Sequence, residues 1–314
     1  MTAIRRSGKI NEDTTLIDYG LHGVSRVGAV YLIQAGKTCL IDGGTRDGAG
    51  RMLKALRGIK AFPDTVIITH SHWDHCQAIP ALRKQAARLG KEIKVLASER
   101  AVPLLEDQSW SEPGCENITG VTPLEEGDIV DLQGVTLRIL DTPGHCKDHI
   151  AVLDEKNRNI FVGDAIGVKV GDNVFVPPFF LPFWDRDAYY ATIGKLKQVD
   201  YDTLCLAHYG YIYGDEAKSI LDESVVTYER WWQLFEQNVE KLDDLDYMLE
   251  VISRGTGLAP IDYDILSPRL RLLFGLMTGW NKLVRKKPQP IGALIARSTL
   301  ASLITAYKTY ENLA

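Results

Sequence analysis

The chain passes from a β-branched run, Asp64-Thr65-Val66-Ile67-Ile68, directly into Thr69-His70-Ser71-His72-Trp73-Asp74-His75. The first run predicts a buried strand. Three imidazoles and a carboxylate then fall within six residues, where that strand ends. In near-extended backbone the side-chain period of two puts His70 and His72 on one side. Asp74 and His75 follow, where the chain turns into a helix. Imidazole and carboxylate are ligands that first-row divalent metals accept. Four such groups are not buried without metal or hydrogen-bond partners. A solvated histidine-rich turn would account for this stretch alone, but not for the matching residues further along the chain.

Length and composition bound the remaining choices. A chain of 314 residues has room for one large domain or two. A net charge of -5 provides no general attraction to nucleic acid or to anionic membranes. No apolar stretch approaches the roughly 20 residues of a membrane span, and no apolar run follows Met1-Thr2-Ala3-Ile4-Arg5-Arg6 as a secretory signal requires. The five cysteines are scattered and include no CxxC. A reduced cytoplasm fits that usage.

Before the histidine stretch, residues 14–18, 29–33 and 38–42 read as strands, with Ala35-Gly36-Lys37 as the turn between the last two. Arg46 to Arg57 has helical spacing in Met52, Leu53 and Leu56, closed by Gly58. A helix over about 76–89 follows the histidines, and its N-terminal dipole would favour a negative group beside them by ~0.5 kcal/mol. Ile93 to Ala97 is another strand, and Glu106 to Gly120 an irregular loop. Val121 to Leu140 reads as paired short strands turning at Gly127-Asp128 and Gln133-Gly134. Residues 150–153 and 160–162 form a hairpin. The segment 173–184, Asn173-Val174-Phe175-Val176-Pro177-Pro178-Phe179-Phe180-Leu181-Pro182-Phe183-Trp184, has three prolines, which exclude helix and central strand. It is too apolar for a free loop. It either packs on the C-terminal helices or a partner subunit, or forms an apolar wall of a pocket.

From Asp215 the pattern changes. Apolar residues from Ala217 to Leu245 recur at spacings of three and four, a long amphipathic helix interrupted near Leu242-Asp243-Asp244. Ser267-Pro268 opens a second helix running to about Lys287, stopped by Pro288-Gln289-Pro290. A third runs from Ile291 to about Tyr310. The expected division is a domain over 1–214 and an all-helical extension over 215–314. The aromatic stripe of that extension is read as core, with a roof over the site as the sharper alternative.

Four motifs stand in order, each after an apolar run. They are the H-x-H-x-D-H of residues 70–75, Thr142-Pro143-Gly144-His145, Gly163-Asp164, and Ala207-His208. Together they resemble the metallo-β-lactamase superfamily, glyoxalase II-like branch, over roughly residues 13–214. The resemblance implies an α+β fold, a four-layer αβ/βα sandwich with the site along joined sheet edges, carrying here an all-helical C-terminal appendage. It also implies a division of labour among the ligands. His70, His72 and His145 hold one metal; Asp74, His75 and His208 hold a second; Asp164 bridges them. Asp42, in Asp42-Gly43-Gly44, resembles the family's outer-shell aspartate, with a turn-capping carboxylate as the equal alternative.

Such a site implies a binuclear-metal hydrolase in which a metal-bridged hydroxide attacks a carbonyl substrate of the thioester or lactone class. Asp74 is in addition the catalytic candidate for passing a proton to the leaving group. Two divalent ions are the cofactors, zinc by default for a nitrogen-rich site, with iron and manganese as the alternatives. A phosphodiester hydrolase, a mononuclear-iron oxygenase of the persulfide dioxygenase type and a non-catalytic ligand sensor stay open as other readings. The chain departs from glyoxalase II at its last histidine, where Ala207-His208-Tyr209-Gly210-Tyr211 replaces a G-H-E-x-T-like stretch. That departure sets glutathione thioesters apart. The expected partner is a small-molecule substrate, with no nucleic acid and no membrane. A homodimer through the helical extension or the 173–184 segment is compatible with the pattern. Cys76 and Cys146 read as small buried residues, and His149 as an outer-shell or strand-capping group. His22 reads as a solvated loop residue outside the site. Tyr209 and Tyr211 read as packing residues.

Overall fold

Strands β1 (Gly8–Lys9), β2 (Thr14–Asp18), β3 (Ala29–Gln34), β4 (Thr38–Ile41), β5 (Thr65–Ile68), β6 (Lys94–Ser98) and β7 (Val121–Leu124) form one sheet in sequential order. The computed structural model that shows this describes residues 4, 6–169, 175–180, 183–208, 210–256 and 291–313. The pairs from β1 to β4 are antiparallel, and those from β4 to β7 parallel. Parallel neighbours need a crossover. Helix α1 (Ala49–Ile59) supplies it between β4 and β5. The one-turn α2 (Trp73–Cys76) and α3 (Ile79–Arg88) supply it between β5 and β6, and α4 (Val102–Glu106) lies between β6 and β7.

The second sheet contains β8 (Ile129–Asp131), β9 (Thr136–Asp141), β10 (Ile150–Asp154) and β11 (Asn159–Phe161). A two-stranded pair follows, β12 (Val168–Lys169) with β13 (Phe175–Val176). After α5 (Arg186–Gln198), β14 (Thr203–Leu206) and β15 (Gly210–Tyr213) complete the second sheet in the order β15-β14-β11-β10-β9-β8. Then come α6 (Asp215–Glu236), α7 (Leu245–Thr256) and α8 (Ile291–Tyr310).

Side-chain alternation builds the layers. Tyr31, Ile33, Ile41, Ile67 and Leu96 of the first sheet meet Leu137, Ile139, Val152 and Phe161 of the second in a core between the sheets. The intervening Val30, Leu32, Leu40, Val66 and Ile68 face the other way, against Met52, Leu56, Ile79 and Leu82 of α1 and α3. On the far face of the second sheet, Leu204 and Leu206 pack with Tyr189, Tyr228, Trp232, Phe235, Leu303 and Tyr307. Both faces of both sheets are therefore buried, which is why the strands read as nearly continuous apolar runs. The result is the helix-sheet-sheet-helix sandwich expected from the resemblance.

Several local expectations need correction. The first helix begins at Ala49 rather than Arg46; residues 46–48 form a turn in which Thr45 Oγ1 accepts the Gly48 N–H at 3.1 Å. It runs through Gly58 and ends at Lys60, which takes the left-handed conformation and returns its N–H to Leu56 and Arg57. Residues 121–140 do not all pair with one another. β7 joins β6 in the first sheet, while β8 and β9 belong to the second. Pro123 explains part of this: it cannot donate to a ladder, and β7 lies at the sheet edge. The helix expected over 76–89 is split, with one turn at 73–76 and α3 starting at Ile79. The macrodipole of the longer helix therefore begins beyond the ligands, and the dipole expectation loses its basis.

The 173–184 segment serves both readings. Phe179 is fully buried, with ring contacts to Trp184, Tyr228, Trp232 and Phe235. Val176 and Phe180 instead face a cavity. Asn173, Val174, Leu181 and Pro182 lie outside the described residues, as does the helix expected from Ser267-Pro268 to Lys287 with its Pro288-Gln289-Pro290 stop. α6 ends at Glu236, and a 3-10 turn at Val239–Lys241 precedes α7, so the expected interruption is present and begins earlier. The apolar core continues from β14 into α6, α7 and α8 without a gap in packing. Among the described residues no helix is long and apolar enough to cross a membrane.

Phe179 links the proline-rich segment to the C-terminal helices. Phe179→Ala should cost ~3–5 kcal/mol of unfolding free energy, read from urea denaturation. A loss below ~1 kcal/mol would show that the segment does not depend on this anchor.

Candidate metal centre

β5 ends at Ile68, and the next residues leave the first sheet. The Thr69 carbonyl accepts the Ile150 N–H at 2.8 Å, stitching the two sheets together at this point. Asp148 Oδ2 accepts the Ser71 N–H at 2.8 Å, which fixes the loop between His70 and His72. His70 Nε2 then lies 3.0 Å from His72 Nδ1. His145, brought in after β9, places its Nε2 2.9 Å from the same His72 Nδ1. Three imidazole nitrogens from two sheets thus converge.

The second group forms beside them. His75 Nε2 lies 3.4 Å from Asp164 Oδ2 and 3.8 Å from Asp74 Oδ1. His208 Nε2 lies 3.4 Å from Asp164 Oδ2 and 3.5 Å from Asp74 Oδ2. Asp164 Oδ2 also lies 3.9 Å from His145 Nε2, so this carboxylate touches both groups. All seven residues singled out in the sequence (His70, His72, Asp74, His75, His145, Asp164 and His208) line one centre. Potential ligand atoms fall within 4.8 Å of one another in three sets: His70, His72, His145 and Cys146; His70, His75 and Asp164; Asp74, His75 and His208.

Partners around the centre aim the rings. Asp42 adopts a left-handed conformation at φ 64° and accepts the Thr69 N–H at 2.8 Å and the Thr69 O–H at 2.9 Å. With its own proton given to Asp42, Thr69 Oγ1 is left to accept from His70 Nδ1, 3.1 Å away. His75 Nδ1 lies 3.0 Å from Asp42 Oδ2. His145 Nδ1 donates to the Pro178 carbonyl at 2.7 Å, and His208 Nδ1 to the Val27 carbonyl at 3.1 Å. Each of these four rings therefore turns Nε2 toward the centre, the usual arrangement of metal-ligating histidine. Asp42 is thus an outer-shell carboxylate rather than a turn cap alone.

His149 is an outer-shell group as expected. Its Nδ1 donates to Thr142 Oγ1 at 2.8 Å, and its Nε2 accepts the Asp164 N–H at 3.1 Å. This contact requires glycine at 163: at φ 48° a Cβ there would lie 2.6 Å from His149 Nε2. At Gly144 a Cβ would lie 2.6 Å from Tyr189 Cα, so the approach of α5 to the His145 turn requires glycine as well.

The donor set fits a divalent metal. Among the described residues, buried His75 Nε2 and Asp164 Oδ1 have no hydrogen-bond partner, a costly arrangement that ligation removes. Burial, reinforced by the neighbouring imidazoles, holds His70 well below the usual histidine range and His145 down to about 4. Burial also lowers His72. These rings are neutral, as ligands must be. Burial pushes in the same direction at His75 and His208, but carboxylates outweigh it. Asp42, Asp74 and Asp164 raise His75 well above its ordinary value, and Asp164 with Asp74 raises His208 to about 10. Cys146 Sγ lies near the three-histidine set, yet burial and the adjacent Asp148 push its thiol well up and keep it neutral. Cys76 is fully buried, its thiol directed at the Ser71 carbonyl.

A cavity of about 750 Å³ opens over the centre. Its walls include Val24, Val27, Trp73, Trp110, Val168, Val176 and Phe180, with Ser298, Ala301, Ser302 and Thr305 of α8. The C-terminal extension therefore reaches the site as well as forming core. His22, read from sequence as outside the site, lines this cavity, its ring 5.3 Å from that of Trp73. Tyr211 instead packs against the core between the sheets. Tyr209 lies outside the described residues.

Because Asp42 orients both His75 and, through Thr69, His70, Asp42→Asn should weaken zinc binding about 10–100-fold. Competition with a chromophoric chelator measures this. Wild-type affinity in the variant would leave Asp42 a turn residue only.

The family model described as the metallo-beta-lactamase superfamily matches residues 24–208, more than half of the chain. A hydroxyacylglutathione hydrolase of Methylobacterium nodulans is 29% identical over 119 residues, 38% of this chain and 40% of that protein. An atrochrysone carboxyl ACP thioesterase of Claviceps purpurea is 28% identical over 139 residues, 43% of this chain and 39% of that protein. The chain thus spans about two fifths of the length of these curated relatives. An archaeal metallo-beta-lactamase superfamily protein from Sulfolobus tokodaii shares the fold, with TM-score 0.53 and 22% identity, covering 68% of this chain and 84% of that one. With the sandwich, the four motifs and the matched residues in agreement, the chain belongs to the metallo-beta-lactamase superfamily.

Proposed function

We propose that the chain is a hydrolase that uses two divalent metal ions to cleave a carbonyl substrate of the thioester or lactone class. The observation that carries this reading is the convergence of two ligand groups on one shared carboxylate, Asp164. His70, His72 and His145 would hold one ion, Asp74, His75 and His208 the other, and Asp164 both. When bound, such a pair supplies an acidified water as nucleophile and Lewis-acid polarisation of the substrate oxygen. Zinc suits the nitrogen-rich donors. Two relatives are named for hydrolysis, a hydroxyacylglutathione hydrolase and an ACP thioesterase, and carrying that to this chain favours thioesters.

The chain's own residues supply the rest. In thioester hydrolysis the acyl C–S bond breaks, a C–O bond forms to oxygen from water, and the leaving sulfur takes a proton. Asp74 has the position and charge to move that proton. Although burial opposes ionisation, His75 and His208 hold its carboxyl well below the usual range, so it stays a carboxylate that can ligate an ion and accept a hydrogen bond from the attacking water. Tyr19 donates its hydroxyl to the Asp74 carbonyl at 3.3 Å and steadies this residue. Apolar walls around the opening limit water at the reacting carbonyl.

Elemental analysis of protein purified without chelator should find two equivalents of metal per chain. Asp164→Ala should bind at most one and lose at least ~100-fold in thioester turnover. Two retained equivalents in that variant would remove the bridging assignment. No metal, with none taken up on titration, would overturn the hydrolase reading.

The two ions should also separate by pH. His75 and His208, raised in the metal-free centre, hold protons at neutral pH that an entering ion must displace. Lower pH therefore weakens binding at that half, while His70, His72 and His145 are already neutral. Zinc titrations followed by calorimetry should load one ion at about pH 6 and both at about pH 8, with proton release accompanying the second. Equal loss of both ions on acidification would contradict this order.

A further inference from the structure

We propose that α8 selects the substrate, and that the acyl group it admits is a neutral apolar chain. This rests on the carbonyl-hydrolase reading above. Ser298, Ala301, Ser302 and Thr305 recur at helical spacing on one face of α8, and all four line the cavity over the metal centre. The opposite face is core: Leu300, Leu303, Ile304 and Tyr307 are each at most 4% exposed. The wall is thus set by a helix that cannot rotate without unpacking that core. Two ion pairs hold it further, Arg297 with Asp246, and Lys308 with Asp243 at 2.7 Å.

Residue choice on the cavity face points to a space kept open. A solvent-facing helix surface is ordinarily filled by long residues of high helix propensity. Thr299 lines the cavity as well, so four of the five α8 residues there are serine or threonine, which are poorer helix formers but short. Two of their hydroxyls are already used within the helix: Ser302 donates to the Ser298 carbonyl at 3.1 Å, and Thr305 to the Ala301 carbonyl at 2.8 Å. Those protons are not available to an anionic ligand. Val168, Val176 and Phe180 form an aliphatic and aromatic part of the same cavity. Among the described residues lining it there is no lysine or arginine, and Glu112 adds a further negative charge. Away from the metal ligands, a carboxylate or phosphate on the acyl part would meet no lysine or arginine among the described lining residues, which disfavours it in a partly enclosed site. Methylenes find apolar surface instead, and a cavity of about 750 Å³ has room for a chain of several carbons.

The test uses full-length metal-loaded protein and thioesters of N-acetylcysteamine with acetyl, hexanoyl, decanoyl and succinyl groups. In the wild type, kcat/KM should rise up to about fourfold per methylene buried, and succinyl should be poorer than hexanoyl. Ser302→Phe and Ala301→Leu, made separately, should each lower the decanoyl-to-acetyl ratio of kcat/KM at least about tenfold with metal content as in the wild type. An unchanged ratio in both variants, or succinyl preferred over hexanoyl, would overturn the proposal. Binding of decanamide, followed by tryptophan fluorescence, separates the two readings. If no thioester or lactone is turned over, yet decanamide binds and Ser302→Phe weakens it about tenfold, the hydrolase reading fails and the wall assignment holds. Equal decanamide affinity in wild type and both variants would remove the wall assignment whatever the turnover.

Discussion

Burying five histidines beside two aspartates is the constraint on which the rest of this molecule depends. Ionisable groups leave water only when each nitrogen and oxygen has a partner or a metal. Here the nitrogens facing away from the centre at His70, His75, His145 and His208 meet Thr69, Asp42, the Pro178 carbonyl and the Val27 carbonyl. Those facing inward meet one another and the two carboxylates. Asp42 is the keystone on the first sheet: its strained backbone, φ 64°, aims one carboxylate at Thr69 and His75 together. Strain of that kind persists where surrounding contacts over-determine the residue.

The two sheets are packed so that this centre lies where their strands end. β5 brings His70 and its neighbours, β9 brings His145, β11 brings Asp164 and β14 brings His208. The core between the sheets, with Tyr31 against Phe161 and Ile67 beside Leu137 and Ile139, holds those ends in register. Tyr31 also donates its hydroxyl to the Leu206 and Gly210 carbonyls, pinning the first sheet to the turn that carries His208. Glycine enters where side chains would collide: Gly163 under His149, and Gly144 against α5. A larger residue at either site displaces a ligand through the backbone rather than through lost chemistry.

The C-terminal helices join this economy from the other side. Phe179 and its aromatic neighbours on α6 fix the proline-rich segment, and that segment returns the Pro178 carbonyl to His145. One continuous apolar cluster therefore reaches from the outer helices to a metal-ligand candidate. The same helices present α8 to the cavity, so packing energy and the space over the centre are settled by a single arrangement of side chains.

Much of this was legible in the linear chain. The strand before His70, the order of the four motifs, the hairpin of 150–153 with 160–162 and the described helices over 215–236 and 291–310 carry local signals, because β-branched runs, turn glycines and helical spacing act over a few residues. The seven candidate ligands could be singled out because their four motifs, each after an apolar run, resemble the pattern of the superfamily. The partners of those ligands could not. Val27 and Pro178 act through backbone carbonyls, which every residue carries. His22 looked like an ordinary loop histidine until the fold set it against Trp73 at the cavity. The side of the sandwich that β7 joins, the break between α2 and α3, and the approach of α8 to the metal centre depend on contacts between residues far apart in sequence. Residue type and local spacing were enough to read the available chemistry and most of the strands and helices. Tertiary structure alone decided which atoms surround that chemistry and what space is left above it, since both are set by packing across the whole chain.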